Sequence, residues 1–206
     1  RTPADIIGHD IKYVNTRLRE GHYFFSDIKK EGILLYDSGK CKLERRRRID
    51  PARRLEIATE DFAQWFESAN EFLDTTFDDV KKKRYKKAAF ELHQATERFY
   101  KAAILTHTGY SPRTHDIEKL GQAIARDCPE FLKIFPQKTQ KEQDLFQKLK
   151  KAYVDARYKK DYSIAKDELA RLAERVEKLR DLVEETCRNI IKDLSSEVQA
   201  ETKKHV

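Results

Sequence analysis

Four polar residues with reactive side chains, Gln94, Glu97, Arg98 and Lys101, recur at steps of three and four within the segment "FELHQATERFYKAA". On a helix that spacing brings side chains onto adjoining positions of one face. An amide, a carboxylate and two cations there could hold a phosphate, or could form an ordinary solvated face. A second set follows in "YVDARYKKDY", where Tyr153 and Arg157 stand four apart with Tyr158 and Tyr162 after them. A guanidinium can grip phosphate through two parallel bonds, and exposed rings can stack on a base. The same residues would serve equally well as an Arg–Glu pair inside a bundle. Between the sets lies "TGYSPRTHDIEKL", residues 108–120, in which His115 sits beside Asp116 at a helix start. Such a histidine could be half of a catalytic pair, a ligand contact or a plain turn residue. Thr114 or Asp116 is placed to cap the helix that follows, and Gly109 with Pro112 shapes the reversal.

The elements that must position these residues are legible from periodicity. From Pro51 onward the pattern is helical, with helices expected over 52–78, 85–107, 116–127, 139–158 and 166 to about 197, and a short piece around Phe131. Helix 85–107 should bury Ala89, Leu92, Phe99 and Ala103 on one stripe. Short connections predict antiparallel neighbours, hence an all-α bundle of about five helices. In the last helix Leu169, Leu172, Val176, Leu179, Val183, Ile190 and Leu194 follow three- and four-residue steps, as a bundle core or a helix–helix interface requires.

The first 40 residues read as a separate small α/β unit. Ile6, Ile7, Ile11, Val14 and Leu18 predict one amphipathic helix ended by Gly21, and a second short helix is expected over 23–30 with Gly32 stopping it. The "ILLY" run, residues 33–36, has the length and bulk of a buried strand. A lone strand leaves its edges unpaired, so this unit is expected to pack on something preceding residue 1. The chain starts without a Met, which reads as a piece of a longer protein. Residues 41–54 are expected to be a basic linker. Its surroundings explain the net charge of +7: from Lys40 to Arg54, eight Lys and Arg stand against Glu44 and Asp50, a local excess of +6. The "RRRR" run at 45–48 has no interleaved aromatic and reads as solvated linker rather than a nucleic-acid grip.

Composition excludes several classes. With 38% charged residues and no apolar run of the roughly 20 residues that span a bilayer, no membrane role is expected. No secretory signal is visible. Cys41, Cys128 and Cys187 are widely spaced with no zinc-like pattern, so no metal is expected, and a reduced, cytoplasmic home is the default. Asp78-Asp79, the sole Asp-Asp pair, stands before a lysine run and reads as solvated charge.

The segments "FELHQATERFYKAAILTHTGYSPRTHDIEKL" and "LKKAYVDARYKKDYSI" together resemble a HEPN domain, a helical nucleotide-binding module. The resemblance covers about residues 55–195, with the bundle placed at 55–200. It implies a nucleotide site, for an ATP-like ligand, formed by Gln94, Glu97, Arg98, Lys101, His115, Arg157, Tyr158 and Tyr162. It also implies a homodimer. "FFSDIKKEGILLYDSGK" is similar to the closing segment of the small nucleotidyltransferase domains that accompany HEPN domains. The Gly-Ser and paired-aspartate signature that would hold Mg²⁺ in such a domain is absent from residues 1–40, so any metal would belong to a part lying upstream. HEPN ribonucleases resemble one another in an Arg-x4-6-His motif. Here Arg157-x4-Tyr162 stands in its place, and a phenol with an ordinary pKa of about 10 is a poor substitute for imidazole. The literal match Arg17-x4-His22 lies outside the bundle. The resemblance therefore implies a non-catalytic nucleotide-binding bundle, with no catalytic residues of its own, that completes or regulates a nucleotidyltransferase. A metal-independent ribonuclease or toxin and a pure dimerisation module are the rivals. RNA is a possible but not a favoured partner.

Overall fold

The computed structural model describes residues 6–45 and 49–204; Arg46, Arg47 and Arg48 of the basic run lie outside the described residues. Two short helices, α1 (Ile11–Arg19) and α2 (Tyr23–Glu31), form an N-terminal hairpin. The bundle follows as α3 (Pro51–Lys81), α4 (Tyr85–Thr108), α5 (Ile117–Ala125), a 3-10 turn (Pro129–Lys133), α6 (Gln140–Tyr158) and α7 (Lys166–Lys204). Among the described residues there is no strand.

Local signals account for the boundaries. Asp50 accepts from the Ala52 amide with Pro51 at the first helical position, so α3 begins where its orphan donors are met. α4 ends at Gly109, whose φ of 65° is the left-handed conformation that closes a helix without a Cβ clash. The Asp116 carboxylate caps α5 through the Glu118 and Lys119 amides, and Thr139 with Glu142 forms a reciprocal capping box on α6.

α4 is the central rod, packed against α3, α5, α6 and α7. Every residue from Glu91 to Glu97 is buried, including His93, Gln94, Thr96 and Glu97. The polar stripe expected to be a solvated face or a groove is therefore largely inside the protein. A helix enclosed on all sides must either be apolar all round or supply internal partners for its polar groups, and α4 does the second. The heptad stripe of α7 is spent inside the chain: Leu169, Leu172, Val176, Leu179, Val183 and Leu194 are all buried, in contacts with α3 and α4. Ile190 of the same stripe is half-buried. α6 and α7 touch each other little, and an open groove of about 810 Å³ lies between them, floored by Phe135, Leu145, Phe146 and Leu172.

Three expectations fail here. α1 starts at Ile11 behind the Asp10 cap, so Ile6 and Ile7, expected on its apolar stripe, lie before it and are exposed. The "ILLY" strand does not form. Ile33, Leu34, Leu35 and Tyr36 are non-helical and 84, 72, 92 and 82% exposed, because a strand has no meaning without a neighbour to pair with. Their arm leaves α2 at Gly32 and is pinned on its return, where Asn15 bonds the Lys42 carbonyl and the Glu44 amide. Asp79 is not solvated: it is buried and pairs with Lys87 at 2.9 Å, while Asp78 lies outside with Lys81. Successive positions of α3 are rotated by about 100°, which turns one aspartate inward and the other out.

Candidate functional site

One carboxylate organises the polar interior. Glu97, 3% exposed, accepts from Lys101 Nζ at 2.7 Å and from His115 Nδ1 at 3.0 and 3.1 Å. Lys101 reaches it from one turn along α4, and His115 from the α4–α5 turn. Burial alone would push the Glu97 carboxyl up; the hydrogen bonds and charges of Lys101 and His115 outweigh it and bring it below the usual carboxylate range. Because a carboxylate only accepts, His115 donates through Nδ1, and its side chain is 57% exposed.

A second histidine completes the cluster from beneath. His93 is fully buried, and its Nδ1 donates to the Leu149 carbonyl of α6 at 3.0 Å. Its Nε2 lies 3.8 Å from Glu97 and has no hydrogen-bond partner. Burial lowers its pKa, against the opposing pull of the Leu149 carbonyl and of Glu97. The imidazole is thus held neutral, with a lone pair facing a carboxylate.

Rings join this cluster to α6. His115 stacks on Tyr153 at 4.6 Å with the planes 16° apart, and Tyr153 also faces His93 and Phe90. Beyond Tyr153 stands Arg157. Its guanidinium lies 4.8 to 5.0 Å from the centroids of Tyr153, Phe90 and Tyr158, and its Nε donates to the Tyr153 carbonyl. Among the described residues neither terminal nitrogen has a partner, so the fork that recognises phosphate is oriented by three rings and open to solvent. Tyr158 beside it is 73% exposed.

Lys101, Glu97, His115, Tyr153, Arg157 and Tyr158 therefore form one continuous chain of contacts across α4, the turn and α6. The other expected site residues lie elsewhere. Gln94 accepts from Arg98, and Arg98 bonds Ser68 and covers the Phe72 ring at 4.2 Å; this pair fastens α4 to α3. Tyr162 packs against the core and donates to the Lys148 carbonyl at 3.1 Å, and burial drives its pKa upward. It is a fastening for the α6–α7 connection, unsuited to proton transfer. His93 was missed by the sequence reading, which had already set Tyr153 four residues before Arg157. The signal that could have found it is its place one turn before Glu97, on the same helix face.

Lys86 of α4 bonds the carbonyls of Lys159 and Lys160 and holds the end of α6, and so Arg157, against α4. The α6–α7 groove contains none of the expected site residues; its cations are partly neutralised locally, as in the Lys148–Glu168 pair at 2.7 Å. No described helix is long and apolar enough to cross a membrane, and no group of three His, Cys, Asp or Glu among the described residues is placed to hold a metal ion.

Comparison with curated proteins gives no match. The HEPN domain family matches residues 62–186, which runs from the middle of α3 through the Glu97 cluster and Arg157 into the middle of α7. With that match spanning more than half its length, the chain belongs to the HEPN domain family.

Proposed function

We propose that the bundle is a nucleotide-binding module whose ligand engages the face formed by His115, Tyr153, Arg157 and Tyr158, without catalysing a reaction on its own. The observation that carries this reading is the placement of Arg157: a guanidinium set against three rings and one backbone bond, its terminal nitrogens without a partner among the described residues. A phosphate meeting that fork forms charge-assisted bonds without first having to order a flexible side chain. Tyr158 supplies an exposed ring for a base, and the outward edge of His115 supplies a second polar contact. Lys101 serves inward, holding Glu97, which in turn holds His115.

In the full protein this module would complete or regulate a nucleotidyltransferase. The exposed apolar arm at 33–36 supports that part of the reading, since four successive bulky side chains outside any helix are suited to pair with a sheet edge supplied by another segment.

Isothermal calorimetry with ATP on wild type, Arg157→Ala and Gln94→Ala tests the site. The loss of one charge-assisted contact is worth roughly 1.5 to 3 kcal/mol, so Arg157→Ala should weaken binding about tenfold to a hundredfold. Gln94→Ala, which touches the α3 side, should bind as wild type. Equal affinity in Arg157→Ala, or no heat at millimolar ATP, rejects the site. A second reading rests on His115, which a buried carboxylate orients near a free arginine as metal-free RNA cleavage requires. Cleavage of a mixed RNA in EDTA, lost in both His115→Gln and Arg157→Ala, would favour it over the binding module.

A further inference from the structure

The α4–α5 turn is held at both ends by different parts of the molecule. At its far end His115 is bonded to Glu97 and stacked on Tyr153, and Asp116 pairs with Lys150 of α6 at 3.1 Å. At its near end the anchor comes from outside the bundle. The Tyr110 ring lies face to face with Phe24 of α2, centroids 3.8 Å apart and planes 10° from parallel, and meets Phe25 edge-on at 6.3 Å.

Phe25 is 5% exposed and packs with His9 and Tyr13. Tyr110 is thus a member of the hairpin's own aromatic core, supplied by the bundle. His22 at the start of α2 adds a second contact, since it shares a small pocket with Gly109, Leu105 and Thr106 at the end of α4.

The turn's own side-chain bonds lie at its two ends, where Thr108 Oγ1 bonds the amide and carbonyl of Tyr110 and Thr114 Oγ1 accepts from the Asp116 amide. In residues 110–114 the one backbone–backbone bond among the described residues is Thr114 N to Pro112 O, at 2.9 Å, and the buried Ser111 hydroxyl has no partner. Only four residues separate Tyr110 from His115, and one is Pro112, whose fixed φ stiffens the path. A displacement at Tyr110 cannot be absorbed within so short and stiff a segment, so it reaches His115.

We propose that Phe24 and Tyr110 are positioning residues for the ligand face: docking of the α1–α2 hairpin onto Tyr110 sets the placement of His115 over Tyr153. The proposal rests on the binding reading above and deepens it, because it makes the affinity of the bundle answer to the state of the N-terminal hairpin. Burying one tyrosine in the aromatic core of the preceding unit gives the two parts a direct mechanical connection, with no ligand needed to bridge them.

The test uses the whole chain with ¹³C,¹⁵N-histidine labelling, reading the ring resonances of His115 and His93 together. Phe24→Ala and the bulkier Phe24→Leu should both shift the His115 ring signals, while His93, anchored to Leu149, stays in place as the internal control. Phe24→Trp and Tyr110→Phe keep the stack and should restore the wild-type His115 signals. In the ligand arm, affinity for ATP should fall about three- to tenfold in Phe24→Leu, the scale of one lost aromatic contact, and return in Phe24→Trp. Unmoved His115 signals in Phe24→Leu overturn the proposal, as do equal shifts of His115 and His93, which would mean general loosening. If His115 moves as expected but wild type binds no ATP, the coupling stands and the nucleotide reading falls.

Discussion

Replacing Glu97 by Gln keeps the shape of the side chain and removes its charge, which isolates the electrostatic role of the cluster. In the native fold the carboxylate accepts from Lys101 at 2.7 Å and from His115 at 3.0 Å while 3% exposed. Two charge-assisted bonds at roughly 1.5 to 3 kcal/mol each set a gross value of about 3 to 6 kcal/mol. Three things reduce it. The amide oxygen of Gln still accepts one of the bonds. Lys101 is 15% exposed and can extend its ammonium to water. His115 is already half outside. A net loss of about 2 to 3 kcal/mol remains, below the 3 to 5 kcal/mol typical of a fully enclosed pair that loses one partner. Urea denaturation at pH 7 followed by far-ultraviolet circular dichroism measures it, and a double-mutant cycle with Lys101→Met assigns it. Coupling between the two positions above about 1 kcal/mol is expected for groups in direct contact. A Glu97→Gln protein within about 0.5 kcal/mol of wild type, or a cycle with no coupling, would refute the claim that this carboxylate organises the interior.

Two further outcomes follow from the same geometry. His93 is neutral in the fold with its pKa lowered by burial, so its contribution to stability is present above the unfolded value of about 6.5 and is lost as pH falls below it. Wild type should therefore lose stability between pH 7 and pH 5 by up to about 1.4 kcal/mol per pH unit from this residue, with a flatter profile in His93→Gln; parallel profiles would show that His93 is not the group titrating. Tyr162→Phe removes the bond to the Lys148 carbonyl and should cost about 1 kcal/mol in stability while leaving ATP affinity unchanged. A matching loss of affinity would place Tyr162 in the ligand face after all.

The bundle was legible because its helices obey one rule at a time. Asp50-Pro51, Gly109, Asp116 and Thr139 with Glu142 are punctuation that acts within a few residues, and the observed boundaries stay close to those expected. The hairpin was legible in α2 and in α1 from Ile11 onward, and misread at Ile6 and Ile7 and in its strand, since residues 33–36 carry a propensity that only a neighbouring chain segment can realise. The site was half legible. Spacing put Gln94, Glu97, Arg98 and Lys101 on adjoining positions of α4, and it could not say that Gln94 with Arg98 turns to α3 while Glu97 with Lys101 turns to the α4–α5 turn. That division depends on where α3, α5 and α6 stand around α4. The packing of Tyr162 could not be read for the same reason. Its distance from Arg157 along the chain matches a ribonuclease motif, yet the connection after α6 carries it back onto the core.

The enclosure of α4 also shapes how this protein can vary. An ordinary amphipathic helix has an outer face on which substitutions drift freely, and a lineage can change half of its residues without changing its packing. From Glu91 to Glu97 no such face exists. Each position is either a core contact or a partner in an internal bond, and those bonds link α4 to α6 through His93 and to the α4–α5 turn through Glu97. A saturating substitution library should therefore show an unbroken intolerant band there, where α3 and α7 show stripes. That band is the stretch by which distant descendants of the chain would remain identifiable after their surfaces had ceased to resemble it.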